Sequence, residues 1–421
     1  MNAPRSLNPS ARLKCHPLGI ESSRQRIKVT RNKKNEHSGE CGLTSIAVAV
    51  AVLLAAFSAW LSAKALVRGK PKALDDTRGG LRKVHVVPTP RIGGIAIATG
   101  CLAGVAVNCV LSGDRYSSAI LLLCAVPGFA WGLIEDFSRR GAVAVRLAFT
   151  AVSASLASFV LDARIVQLDV PGLDWLLGFN AFSFVFTVFA VSGAAHSINV
   201  IDGLNGLSGV IALIASIGLA IVAAAVGDDF VLGVACVLGA SVAGFLALNY
   251  PRGRIFLGDG GAYLVGLVLG LLSVLIVQRN SDVSPWFPLV LLAYPTWETI
   301  FSMYRRKARG YAAGRADALH LHTLVYRRAV RWRGFAGKPA DYVRRNSLAS
   351  LCLWPIPLAC LAIALFFWDF SPALQVSAAA FGIIYTLAYW RLVRFRVPAW
   401  LVLRARSESG DEQAAELGAR R

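Results

Sequence analysis

Charge is scarce in this chain. Asp, Glu, Lys and Arg make up 16% of the residues against a hydrophobic share of 56%, and the mean hydropathy is +0.56. That balance excludes an ordinary water-soluble globule. The apolar–polar alternation of a barrel wall is missing as well, so the chain is not a transmembrane β-barrel. The eight cysteines include no CxxC spacing: Cys15 and Cys41 precede the first apolar run and the other six lie within apolar runs. They read as small buried hydrophobes, and a disulfide or zinc framework is excluded. Acidic residues are the scarcer sign, 24 against 44 basic, for a net charge of +20. Most of that charge sits in loops beside apolar runs, which points to anionic headgroups or an anionic substrate and not to nucleic acid. No internal repeat supports an inverted-repeat transporter.

What the sequence does have is long continuous apolar runs. A helix needs roughly 20 apolar residues to cross a hydrocarbon core of about 30 Å. Eleven such runs follow one another: 43–66, 92–111, 118–134, 143–161, 176–198, 207–226, 230–248, 262–277, 286–303, 348–368 and 374–390. The fold class expected is therefore an all-α polytopic integral membrane protein. Residues 1–42 read as a basic, disordered tail, 43–390 as the membrane domain and 391–421 as a cytoplasmic C-terminal tail. Basic residues mark cytoplasmic loops. They cluster after runs one, three, seven and nine, the last with twelve from Arg305 to Arg345, while the intervening loops hold only Arg115, Arg164 and Arg279. Odd-numbered runs thus exit into the cytoplasm, the N-terminus lies outside and the C-terminus inside. The nine Lys and Arg of the N-terminal tail run against this pattern, but the alternation along the loops outweighs one tail. The alternating stretch RIVQLDV, 164–170, reads as a short external hairpin.

Five polar motifs fall on the predicted cytoplasmic side, one per loop: KVHVVPTPRIGG, GLIEDFSRR, NVIDGLNGL, RIFLGDGGAYLVG and ALHLHTLVYRR. Their carboxylates are Glu135, Asp136, Asp202 and Asp259. Bringing carboxylates together costs about 4 kcal/mol for a pair at 4 Å with an effective dielectric of 20, and a divalent cation removes that repulsion. Oxygen donors without a Cys or His set favour a hard ion, Mg²⁺ when phosphates complete its shell, with Mn²⁺ as the alternative. Each motif also has a plainer reading. Asp259 could be an N-cap, Asp202 and Asn205 turn residues, and Glu135 with Asp136 a solvated helix end. His320 and His322 could face solvent, and Lys83, His85 and Arg91 could be ordinary loop charges.

In order and spacing, HxxPTPRxGG, the acidic pair, NxxDGxNGL, FLGDGG and the late HLH resemble the bacterial polyprenyl-phosphate N-acetylhexosamine-1-phosphate transferases, over about 43–390. The resemblance implies transfer of a sugar 1-phosphate from a UDP-sugar to undecaprenyl phosphate, with release of UMP, at the cytoplasmic face of the bacterial inner membrane. It implies Mg²⁺ on Asp259 and Asp202, with Glu135 and Asp136 as further catalytic carboxylates. The implied substrate-binding residues are Lys83, His85, Arg91, Arg139, Asn199, Asn205, His320 and His322, the two histidines at the diphosphate. The partners implied are a UDP-N-acetylhexosamine, undecaprenyl phosphate and membrane lipids; a homodimer is compatible with the pattern. Two positions depart from the commonest form: Glu135 replaces the first Asp of the pair, and Asn205 the second Asp of DGxDGL. HLHT lacks the third histidine of the peptidoglycan-precursor branch, which argues against a muramyl-pentapeptide donor and for a surface-polysaccharide role. A transporter or flippase is the rival class, and it would need polar residues at the bilayer midplane and on both sides.

Overall fold

The computed structural model describes residues 47–69, 88–111, 116–139, 141–310, 319–332, 338–394 and 403–405. The tail 1–42, the residues after 405, and Lys83 and His85 lie outside the described residues. The helices are α1 (Ala47–Arg68), α2 (Gly93–Leu111), α3 (Ser117–Ser138), α4 (Val143–Val160), α5 (Pro171–Leu177), α6 (Asn180–Ile201), α7 (Leu207–Val226), α8 (Asp229–Asn249) and α9 (Gly258–Arg279). They continue with α10 (Trp286–Leu291), α11 (Ala293–Ala308), α12 (Leu321–Leu324), α13 (Pro339–Leu351), α14 (Pro355–Phe366) and α15 (Ser371–Val393). The all-α polytopic expectation holds. Among the described residues ten helical spans are long and apolar enough to cross a membrane, α13 and α14 counting as one.

Prolines account for most departures from the predicted runs. The expected span 286–303 is divided at Leu292 into α10 and α11, because Pro295 lacks the N–H that a continuous helix would direct at the Leu291 carbonyl. The run 348–368 is likewise divided ahead of Pro355. The external hairpin expected at 164–170 is not formed. There the Arg164 and Ile165 amides donate to the Gln278 and Thr187 side chains at 3.1 and 2.8 Å, so no strand ladder is available to them. The described strands are Val330–Trp332 and Leu403–Ala405, paired in parallel with Val330 opposite Leu403.

Helix α9 is the axis of the bundle. Nearly every residue from Gly260 to Leu272 is buried, and it packs against α2, α3, α4, α6, α7 and α8. At the edge, α1 buries Ala47, Ala51, Ala55, Ala59 and Ala63, one per four residues, and exposes Leu53, Leu54, Phe57 and Leu61. That spacing places the small residues on one helical face and the bulky apolar ones on the other. The small face lets α8 approach closely: a Cβ on Gly244 would lie 2.3 Å from the Ala56 carbonyl oxygen.

Candidate active site

The N-terminus of α9 organises the site. Short backbone pairings bring the segment carrying PTPRIGG onto the segment carrying FLGDGG: Phe256 N–H donates to Pro90 O at 2.8 Å, Gly93 N–H to Phe256 O at 2.9 Å and Gly94 N–H to Leu257 O at 3.0 Å. Bare backbones meet here, since a Cβ on Gly94 would lie 2.4 Å from Gly261 N, and one on Gly132 2.5 Å from the Gly260 Cα. Gly258 turns the chain into the helix with φ +75°, a conformation that glycine adopts without strain.

The open amides of a helix start need acceptors, and Asp136 on α3 supplies them. Its two carboxylate oxygens accept from the Asp259 N–H at 2.9 Å and the Gly260 N–H at 3.0 Å. The capping role that the sequence allows for Asp259 therefore belongs to Asp136. The Asp259 side chain is directed elsewhere: its Oδ1 accepts from Asn199 Nδ2 at 2.7 Å and faces Arg91 Nη2 at 3.7 Å. Asp202, just past the C-terminus of α6, accepts from the Ser208 hydroxyl at 2.5 Å. Burial pushes the Asp202 carboxyl up to about 6, with the negative Asp259 adding to the rise and Ser208 and Arg91 opposing it.

Glu135 is also buried. Its Oε1 accepts from Arg146 Nε at 2.8 Å, while its Oε2 is buried with no hydrogen-bond partner among the described residues. Gly141 lies directly on this carboxylate, leaving no room for a Cβ. Tyr263, one turn beyond Asp259, has a buried hydroxyl likewise without such a partner, and its ring meets His196 edge-on. Arg139 caps the end of α3 with φ 55° and is exposed. Asn205 sits apart from Asp259: its amide donates to Asn346 Oδ1 at 2.7 Å, and its Nδ2 lies 3.4 Å from both Pro251 O and Ser347 Oγ. In this structure it ties the α6–α7 turn to α13.

The two late histidines are buried or nearly so, in contrast to the solvent-facing reading. Their rings stack at 5.4 Å with 3° between planes. His322 lies against the turn carrying Asp202, because a Cβ on Gly203 would fall 2.3 Å from His322 Nε2. Burial, with His320 beside it, pushes the His322 imidazole down to about 3, so it is neutral. Its Nδ1 has no partner among the described residues. His320 Nδ1 lies 2.9 Å from Glu298 Oε1.

Composition of the motifs identified Asp136, Asn199, Asp202, Asp259 and the histidines, and the structure gathers them around one end of the bundle. It adds Arg146, Ser208, Tyr263 and Glu298. Arg146 and Glu298 carried a signal as charges inside the runs 143–161 and 286–303, and Tyr263 lay within the RIFLGDGGAYLVG motif; Ser208 carried none, being an ordinary residue of a membrane helix.

The donor set can be tested against Mg²⁺. Among the described residues no three His, Cys, Asp or Glu side chains form a group able to hold a metal by themselves. Asp136 is occupied by amides and Glu135 by Arg146, which leaves Asp259 and Asp202 as the carboxylates facing one another's charge. Mg²⁺ commonly takes only one or two protein carboxylates and fills its shell with water and substrate phosphates. The pair fits that mode and does not fit a preformed all-protein cage.

Fold and site together define an integral membrane protein with a carboxylate-centred polar site at one end of its helix bundle. A family model described as glycosyl transferase family 4 matches residues 118–277, which include both acidic motifs and NVIDGLNGL. The chain is 28% identical over 245 residues to the probable undecaprenyl-phosphate N-acetylglucosaminyl 1-phosphate transferase of Bacillus subtilis, covering 57% of this chain and 66% of the relative. It is 24% identical over 281 residues to the decaprenyl-phosphate N-acetylglucosaminephosphotransferase of Mycolicibacterium smegmatis, covering 59% and 69%. It is 25% identical over 254 residues to the undecaprenyl-phosphate alpha-N-acetylglucosaminyl 1-phosphate transferase of Salmonella typhi, covering 58% and 67%. The matches thus span about two thirds of these relatives' length. The chain is similar, over this central part, to the polyprenyl-phosphate N-acetylglucosamine-1-phosphate transferases.

Proposed function

We propose that this protein transfers an N-acetylhexosamine 1-phosphate from a UDP-sugar to undecaprenyl phosphate, releasing UMP and starting a lipid-linked surface polysaccharide. The observation that carries the reading is Asp259 at the head of α9, held by Asn199, faced by Arg91 and flanked by Asp202. A nucleotide diphosphate is a fitting occupant, since positive and amide donors converge where one or two carboxylates could share a divalent ion with it.

In this reaction a lipid phosphate oxygen attacks the sugar-bearing phosphorus, and the bond to the bridging oxygen breaks as UMP leaves. Little covalent work falls to the protein, so positioning and charge neutralisation dominate. Arg91 and Asn199 orient the diphosphate beside Asp259, and neutral His322 offers a directed ring nitrogen. Mg²⁺, held by Asp259 and Asp202 when bound, would supply charge neutralisation on the departing phosphate. The Glu135–Arg146 ion pair, next to Asp136 in the chain, is the charged group assigned here to the acceptor phosphate. The site then lies at the cytoplasmic face of the inner membrane.

Purified protein given undecaprenyl phosphate, Mg²⁺ and a panel of UDP-sugars should release UMP with a simple UDP-N-acetylhexosamine and not with UDP-muramyl-pentapeptide, and EDTA should abolish turnover. Turnover of the muramyl donor alone would overturn the branch; no UMP release from any donor would overturn the reaction.

A further inference from the structure

We propose that Glu298 is a positioning residue that fixes the ring orientation and tautomer of His320, and through the stacked rings that of His322. Glu298 is fully buried on α11, and no motif drew attention to it. Four contacts converge on its carboxylate. His320 Nδ1 lies 2.9 Å from Oε1, the Leu321 amide lies 3.3 and 3.2 Å from the two oxygens, and the Tyr385 hydroxyl of α15 donates to Oε2 at 2.6 Å. A carboxylate in an apolar bundle is tolerated only when hydrogen-bonded in this way.

The contacts go further than anchoring a loop. An ionised carboxylate only accepts, so the proton on the facing imidazole nitrogen must be at Nδ1. That leaves His320 Nε2 as the atom turned away from Glu298. The parallel stack then carries the plane of His320 to His322, whose Nε2 lies on Gly203 beside Asp202. A side chain that binds no substrate thereby sets the aim of two that do. This rests on the reading of the site as a diphosphate site, but the tautomer lock does not.

Two measurements test it. In long-range ¹H–¹⁵N spectra of protein labelled at its six histidines in detergent micelles, wild type should show His320 locked with its proton on Nδ1. Glu298→Gln should move the His320 and His322 resonances and leave the other four in place. If this variant does not fold, Glu298→Asp, whose shorter arm withdraws the carboxylate from the ring, should move the same pair. Resonances of both histidines unchanged by the substitution overturn the proposal. In UMP-release assays Glu298→Gln should lower kcat/KM by roughly 10- to 100-fold, the range for partners that orient functional histidines. The double variant Glu298→Gln/His320→Ala should be no worse than His320→Ala alone; additive losses overturn the proposal. Histidine spectra that respond as expected in a protein that releases no UMP would refute the transfer reaction and leave the lock standing.

Discussion

Asp259 and Asp136 are both carboxylates at the start of α9, yet their surroundings assign them different work. Asp136 accepts two helix amides, whereas Asp259 is held by Asn199 and Arg91 with its charge directed outward. Asp259→Asn should therefore leave the melting temperature nearly unchanged and lower UMP release at least a hundredfold, the scale of about 2.7 kcal/mol of lost transition-state charge stabilisation. An Asp259→Asn protein with full activity would remove this residue from the site. Glu135 allows a second comparison. An unanchored acidic residue would accept the family's commoner Asp, but Glu135 uses its full length to reach Arg146 under Gly141. Glu135→Asp should lose that ion pair and reduce both stability and turnover, and a reciprocal Arg146→Lys should behave similarly because a lysine lacks the guanidinium fork. Wild-type melting and turnover in Glu135→Asp would show the pair to be incidental. The sequence made the chemistry of these positions legible, since acids and amides among Leu, Val and Ala stand out. It could not reveal which acid caps and which faces a ligand, because that depends on the approach of α3 to α9, more than a hundred residues away along the chain.

At the scale of elements, glycine positions α9 against its neighbours. Gly132 and Gly260 bring α3 and α9 into backbone contact, which is what places Asp136 within reach of the α9 amides. Gly132→Ala touches no proposed ligand, yet a methyl group meeting backbone cannot be relieved by a rotamer change. It should destabilise by about 1–3 kcal/mol, the usual penalty for overpacking, and lower turnover together with stability; a stable, fully active variant would show that α9 has slack. The opposite end of the bundle depends on charge. Asp228 caps α8 through the Val231 amide and takes Arg279 Nε at 2.7 Å and Asn280 Nδ2 at 3.1 Å. Burial works against its charge, but these donors outweigh it and hold the carboxyl below its ordinary value. A depressed carboxylate stabilises the fold above its unfolded pKa of about 3.9, and that contribution is lost as pH falls through the folded value. Asp228→Asn should thus melt below wild type at pH 7, and the gap should close on acidification toward pH 3. A gap that persisted at low pH would assign the effect to capping alone. Helix existence was legible from run length, whereas breaks at Leu292 and before Pro355 were not, because proline divides a helix without interrupting its hydropathy.

Taken whole, the molecule places Arg91, Glu135, Asp136, Asn199, Asp202 and Asp259 at the ends of α3 and α6 and the starts of α2 and α9. All these ends must share one side of a bundle whose successive spans alternate. Loop charge is an independent indication of which side that is, since the basic loops follow α1, α3, α8 and α11 and positive charge is retained in the cytoplasm. Polar motifs and basic loops coincide, which is what a site for an anionic cytoplasmic nucleotide-sugar requires, whereas the charges at the other end, Asp228 and Arg279, pair with one another. The short helix α5, with exposed Pro171 and Gly172, falls on the opposite side. With the eight native cysteines replaced by alanine, a single cysteine at Gly172 should react with a membrane-impermeant maleimide in intact cells. One at Lys307, at the end of α11, should react only after the membrane is opened. Reaction of Lys307→Cys in intact cells, with Gly172→Cys protected, would invert the bundle. It would place the carboxylate cluster where no UDP-sugar is made, and the transfer reaction would fall with the orientation.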